Sequence, residues 1–205
     1  PLPEGPWVHV NLTGPGFHGG CNNPAPAFHP NGTLFVICNH NQLTYTLSDD
    51  PHGDWAPLRN IDLQQEACTS PSCLPLQSSH LEDPTLWFDR EQNWHIIYHR
   101  YTLSAWNAGI CGTGVCYSAH AYSRDGAVFT VSSTQPYGGT VGFTDNSSIT
   151  FATRERPQMI FADSMVDRST PIGIMTGVNS ITKVGPMCND CNDKACCDCK
   201  YKVWT

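Results

Sequence analysis

Nowhere along the chain do apolar residues recur at the i, i+3, i+4, i+7 spacing of an amphipathic helix. Short runs rich in β-branched and aromatic residues recur instead, separated by Gly, Pro, Asn and Asp. They cover Trp7–Leu12, Thr33–Cys38, Leu43–Ser48, Trp94–His99, Tyr117–Ser123 and Ile172–Val178. Turn-forming sequences lie between them: Pro30-Asn31-Gly32, Asp49-Asp50-Pro51, Arg124-Asp125-Gly126 and Tyr137-Gly138-Gly139. The pattern predicts an all-β protein of many short strands, open at this level to sandwich, barrel or propeller.

A repeat narrows the choice. Asn22-Asn23-Pro24 leads through Phe28 and Asn31-Gly32 to Cys38. Glu82-Asp83-Pro84 leads through Trp87 and Asp89–Asn93 to His99. Glu155-Arg156-Pro157 leads through Phe161 and Asp163 to Pro171–Gly177. Each stretch reads polar, polar, Pro, apolar strand, turn, apolar strand. A further strand pair follows each of the first two, as in Ala119–Arg124 and Ala127–Val131, giving units of about four strands, the size of a propeller blade. Proline lacks the N–H a ladder needs, so it belongs at the start of an innermost strand. The residue before it is expected to be extended. Asn23, Asp83 and Arg156 are then equivalent, as are Asn22, Glu82 and Glu155, and all should gather at one mouth of a central channel. Strand alternation predicts that only one of Glu82 and Asp83 enters that mouth.

Composition bears on partners and compartment. The net charge is −7 with only 11 Lys and Arg, which argues against nucleic acid and anionic membrane surfaces. No apolar stretch approaches the roughly 18 residues of a membrane span. The chain begins at Pro1, the expectation for a processed product or a fragment. Eleven cysteines and three sequons, at Asn11, Asn31 and Asn146, point to a secreted, N-glycosylated protein. Local pairs suit disulfides: Cys21 with Cys38, Cys68 with Cys73, and Cys111 with Cys116. The tail holds Cys188, Cys191, Cys196, Cys197 and Cys199. Its C-x-x-C start admits zinc, but it has no His and carries adjacent cysteines, so disulfides are favoured. The odd count leaves one thiol free or paired with another chain. The expected organisation is propeller blades over 1–185 and a Cys-rich tail over 186–205, the start of an EGF-like or other disulfide-rich module.

The motifs Asn22-Asn23-Pro24-Ala25-Pro26, Leu81-Glu82-Asp83-Pro84-Thr85-Leu86-Trp87, Trp94–His99 and His120–Phe129 resemble the five-bladed β-propeller glycoside hydrolases, above all the arabinanase/xylosidase group of family 43. Arg154-Glu155-Arg156-Pro157 resembles a motif of one branch of that group. The resemblance spans about residues 7–180. It implies a five-bladed fold of which about three blades are present, with a second chain, a missing piece or self-assembly completing it. It also implies that Asn23 stands where many relatives carry Asp, an amide that cannot act as base.

Glycoside hydrolysis needs a proton donor and an opposing base or nucleophile. Glu155 is the candidate acid, Asp83 the candidate modulator of its pKa, and Glu82 the reserve. Ion-pair bracing by the neighbouring arginines is the competing role for Glu155, and turn capping that for Asp83. Asn23, Arg154, Arg156, His99 and His120 are candidates for substrate contacts, with bracing or ordinary hydrogen bonding as alternatives, and His80 is weighed with them. His95 is expected to face a neighbouring unit and Trp87 to sit in core. Trp106, in a Gly-containing loop, is the candidate for stacking on a sugar. No nucleophile elbow or phosphate loop is present. No organic cofactor is implied. Calcium in the channel stays open, although no Asp-rich loop matches a dedicated site. The expected function is a secreted, carbohydrate-active propeller that cleaves or binds glycans. The alternative is a non-catalytic glycoprotein, lectin-like or a structural subunit of an extracellular coat or filament.

Overall fold

The structure, a computed structural model, describes residues 21–48, 50, 53–66, 79–102, 118–151, 153–163 and 167–179. The expected strand at Trp7–Leu12, Trp106, Asn11, the Cys68–Cys73 and Cys111–Cys116 pairs and the tail from residue 186 lie outside them. Among the described residues the fold is all-β, without a helix, and no helix is long and apolar enough to cross a membrane.

Strands β1 (Ala25–Phe28), β2 (Leu34–Cys38), β3 (Gln42–Tyr45) and β4 (Arg59–Asn60) form an antiparallel meander in sequence order. β6 (Ser79–Phe88), β7 (Trp94–Thr102), β8 (Ser118–Ser123) and β9 (Val128–Val131) form a second. β5 (Asp62–Gln65) joins its outer edge parallel to β9. β10 (Thr140–Gly142) and β11 (Ser148–Thr150) make a separate hairpin. β12 (Thr153–Asp163) and β13 (Asp167–Asn179) make the last. The strand expectations hold within a residue at β2 and β8, β7 runs three residues beyond the expected Trp94–His99, and the β10–β11 hairpin has too little apolar content to be foreseen.

The second sheet is the centre of the packing. On β7, Trp94, Ile96 and Tyr98 face one way and join Ile37 and Leu43 of the first sheet in the main core. Ile97, on the opposite face, joins Trp87 and Tyr137 in a second core, against which Met159, Phe161 and Ile174 of β12–β13 pack. The period-two alternation thus lets one sheet bind a neighbour on each face. Trp87 lies in core between units, as expected. β6, the first strand of its unit, packs against both β1 and β12.

The repeat is exact in register. Asn22 bonds Asn39 through its carbonyl while Ala25 pairs with Ile37. Glu82 pairs with His99 while Thr85 pairs with Ile97. Glu155 pairs with Gly177 while Gln158 pairs with Met175. In all three, one extra residue is inserted at the same place, a β-bulge. At its centre stand Asn23 (φ 48°), Asp83 (φ 47°) and Arg156 (φ 53°). The expectation of an extended residue before each proline is therefore overturned. The bulge needs a left-handed turn, and this outweighs the pre-proline preference. Proline follows without loss, because the bulged position has no ladder hydrogen bond to give up.

At the other end of the strands, one turn type recurs. His29 N–H donates to Thr33 O and Gly32 N–H to His29 O. Asp89 with Asn93 and Gln92, and Phe143 with Ser147 and Asn146, repeat that scheme. The third loop residue is left-handed each time, as a three-residue hairpin with a glycine-type bulge demands: Gly32, Gln92 and Asn146. Cys21 and Cys38 are joined by a disulfide with Cα atoms 5.1 Å apart, which ties the start of the first unit to β2 as foreseen.

The Ser123-x-Asp125-Gly126 turn has a clear mechanical basis. Ser123 Oγ accepts from the N–H groups of Asp125 and Gly126, and Asp125 Oδ1 accepts from those of Ala127 and Val128. Gly126 has φ 69°, and a Cβ there would lie 2.6 Å from the Trp94 indole. Gly126→Ala is expected to destabilise the protein by about 2–4 kcal/mol through strain plus displacement of a core Trp. Urea denaturation checks this, and a loss below about 0.5 kcal/mol would contradict it.

Candidate functional site

The three bulges converge. Asn23 Nδ2 donates a hydrogen bond to Asp83 Oδ1, joining the first unit to the second. Arg156 Nε lies 3.8 Å from Asp83 Oδ2, joining the third. Arg156 also donates to Glu155 Oε2 at 3.1 Å. Glu82 Oε2 lies 3.5 Å from His99 Nδ1. The equivalence inferred from the repeat therefore becomes contact, with Asp83 at the middle and only 6% exposed.

The first unit reaches over with its β2–β3 turn to hold β6. Asn39 Oδ1 accepts from Asp83 N–H at 2.9 Å, Asn41 Oδ1 from Leu81 N–H at 3.3 Å, and Leu81 O from His40 N–H. His40 and Asn41 are both left-handed, so this turn is tight enough to present its amides to a neighbouring backbone. Asn39 is the first-unit counterpart of His99, a role the repeat could have disclosed.

Both Glu82 and Asp83 enter the site, against the expectation that only one would. One ligand atom each from Glu82, Asp83 and His99 lies within 4.8 Å of the others. In a regular strand the two carboxylates would point to opposite faces, but the left-handed bulge turns Asp83 back beside Glu82. Such a trio has the right atoms for a hard cation, yet carboxylates at this spacing are also common without one.

Tyr137 is the residue that sequence reasoning missed. It sits in a loop, where no periodicity marks it. Ser118 Oγ donates to its carbonyl at 2.6 Å and accepts from its N–H at 3.0 Å, which fixes it beside β8, opposite His99. Its hydroxyl is buried without a hydrogen-bond partner among the described residues. Burial, with added repulsion from Glu155 and Asp83, pushes its pKa above the ordinary phenol value, and Arg154 opposes this.

Arg154 does not turn toward the carboxylates. Its guanidinium stacks over the Tyr137 ring at 4.7 Å and donates to Gly138 O and Thr176 Oγ1. It therefore braces Tyr137 and the last hairpin, not Glu155, the ion-pair partner weighed for it from sequence. His120 is likewise drawn elsewhere. It lies 3.0 Å from His95, which lies 3.1 Å from Asp89, and both rings stack parallel to Trp87. Burial, with His95 adding repulsion, lowers the His120 pKa to about 4. Of the expected contacts, Asn23, Arg156, His99, Glu82, Asp83 and Glu155 are brought together, and Arg154 and His120 are not. His80 lies in β6, and its side chain is outside the description. Asn31 and Asn146 both sit in exposed turns, accessible places for a glycan.

Compared with known proteins, the chain matches no protein family and no curated protein.

Burial raises the Asp83 pKa above its usual 3.8, Arg156 opposes this, and Glu82 and Glu155 reinforce it. The native state then holds a proton that the unfolded chain has released. Stability falls as pH rises from about 3.8 through the raised native value, and stays lower above it. Asp83→Asn keeps an acceptor for Asn23 and suits the left-handed backbone. It should stabilise the protein at pH 7 relative to its stability at pH 3 and remove that slope. His120 acts with the opposite sign: its lowered pKa makes stability fall as pH drops from about 6.5 to about 4. His120→Gln should flatten that acid limb by on the order of 2 kcal/mol after partial screening. Melting curves of both variants between pH 3 and 8 read both slopes, and parallel wild-type and mutant profiles would contradict the assignments.

Proposed function

We propose that the chain supplies central blades of a glycan-acting β-propeller of the glycoside-hydrolase type, with its site at the mouth where the bulges meet. One observation carries this: three sequence-equivalent bulges bring three carboxyl groups, a guanidinium, an imidazole and a carboxamide into one linked cluster. That set matches the needs of sugar chemistry, namely carboxyls for proton transfer and planar donors for hydroxyl groups. Asp83 is nearly inaccessible, so in this reading it positions and electrostatically poises the site. Glu155 and Glu82, with side chains 22% and 30% exposed, are the groups that reach a ligand. Glu155 is the proton donor, oriented by Arg156, and Glu82, backed by His99, faces the developing positive charge at the anomeric carbon.

The last hairpin supports a larger propeller. One face of β12–β13 packs on the second unit, while Ile160, Ile172 and Met175 are 46%, 66% and 49% exposed. That is an apolar surface of the kind a further blade covers. Intact masses with and without reduction test for a second piece. The lectin-like reading has its own support, because Asp83 and Glu155 are already paired with Arg156 and Asn23, an arrangement that suits binding without proton transfer.

The secreted, folded chain is to be assayed against a panel of aryl glycosides and plant and microbial polysaccharides. Glu155→Gln should lower hydrolysis by about 10²–10⁴-fold, the usual worth of a positioned proton donor, with ligand binding retained. Full activity in this variant would refute the assignment. Binding without hydrolysis by the unmodified protein would establish the lectin-like function in its place.

A further inference from the structure

A cleft of about 420 Å³ opens at the turn end of the strands, opposite the carboxylate mouth. Its lining includes Asn31, Thr33, Phe35, Tyr45, Arg59 and Trp94. Phe35 is the hub of its aromatic wall, with its ring centroid 5.3 Å from that of Tyr45 and 4.4 Å from that of Trp94. Arg59 crosses from the first unit to donate to Gly126 O at 3.1 Å, which fixes the width of the cleft. Its volume falls in the range of small-ligand sites, about 300–1,000 Å³. Aromatic faces flanked by charged and hydroxyl groups suit a pyranose, which is apolar on its faces and polar at its edge.

Asn31 and Thr33, the first and last residues of the sequon, both line this cleft. Asn31 Oδ1 accepts from Thr33 N–H at 3.0 Å, and none of the hydrogen bonds among the described residues uses its Nδ2. We propose that Asn31 carries an N-glycan whose first sugar rings dock in this cleft against Phe35 and Tyr45, sealing the seam between the first two units. The inference rests on the secretory setting read from the cysteines and sequons, and it is independent of the glycan-cleaving function proposed above. In the modification, Asn31 Nδ2 attacks C1 of an oligosaccharide carried on a polyprenyl diphosphate. The N–C1 bond forms and the C1–O bond breaks. The diphosphate departs with the bonding pair, and the amide proton passes to a base of the transferase. Covalent attachment then keeps the sugar at high local concentration, so modest stacking suffices to hold it.

Asn146 is the internal control. It lies at the tip of the β10–β11 hairpin, whose turn residues are all exposed, so its glycan has no such cleft. The full chain is to be produced in a eukaryotic secretory host and treated with a peptide N-glycosidase, native and after denaturation, with release followed at each site by glycopeptide mass spectrometry. In the native protein, Asn31 should lose its glycan at least about tenfold more slowly than Asn146, the factor that about 1.4 kcal/mol of docking provides. After denaturation the two rates should converge. Tyr45→Ala should raise the native rate at Asn31 without changing occupancy. Arg59→Ala, an exposed change that spares the aromatic wall, gives a second reading should the first variant fold poorly. An unoccupied Asn31, or equal native rates at the two sites, would overturn the proposal.

Discussion

The left-handed residue before each repeated proline is the constraint on which the rest of the described structure depends. A non-glycine residue there costs on the order of 1–2 kcal/mol, and the chain bears that cost at Asn23, Asp83 and Arg156. The cost is met by contacts that exist only when the units are assembled. Asn39 of the first unit satisfies the Asp83 N–H, Asn23 satisfies an Asp83 oxygen, and Arg156 of the third lies against the other oxygen. A bulge in an isolated hairpin would have none of these partners. The strain is therefore held by tertiary structure and concentrated at the candidate site, where backbone outliers are most informative about function.

The same bulge decides the electrostatics. Without it, Glu82 and Asp83 would point to opposite faces of β6, and one would be left in the apolar contact with a neighbouring unit. With it, both join Glu155 in one small volume, and repulsion among them is balanced by Arg156 and His99. The balance is unequal. Desolvation wins at Asp83 and lifts its pKa above the ordinary aspartate value, against the pull of Arg156. Toward the turn end of the second sheet, the Asp89, His95 and His120 chain solves a different problem. It pins the β6–β7 hairpin turn and fills the space beside Trp87 with flat rings, at the cost of burying a neutral histidine.

The two ends of the strands thus have different work. The bulge end gathers amides from the first unit and charged groups from the second and third. The turn end repeats one economical three-residue loop, and its side chains build an aromatic cleft. Between them, alternation on β7 sends Trp94, Ile96 and Tyr98 to one neighbour and Ile97 to the other, which makes the second sheet the common wall of both cores.

Much of this was legible in the sequence. The all-β character followed from short β-branched runs, the equivalence of Asn23, Asp83 and Arg156 from the polar-polar-proline repeat, and the Cys21–Cys38 bridge from its position around a hairpin. These are local or periodic signals, and chain chemistry alone produces them. What the sequence misjudged was backbone conformation at the repeat, because the preference before proline is a local average that a bulge overrides. Tyr137 and the role of Arg154 were invisible for a related reason: a loop residue and a basic residue acquire their partners only when Ser118, Gly138 and Thr176 arrive from distant parts of the chain. Sequence determined which residues are alike. Tertiary structure decided which of them meet, because contact across units depends on bulges, turns and sheet faces that no single segment encodes.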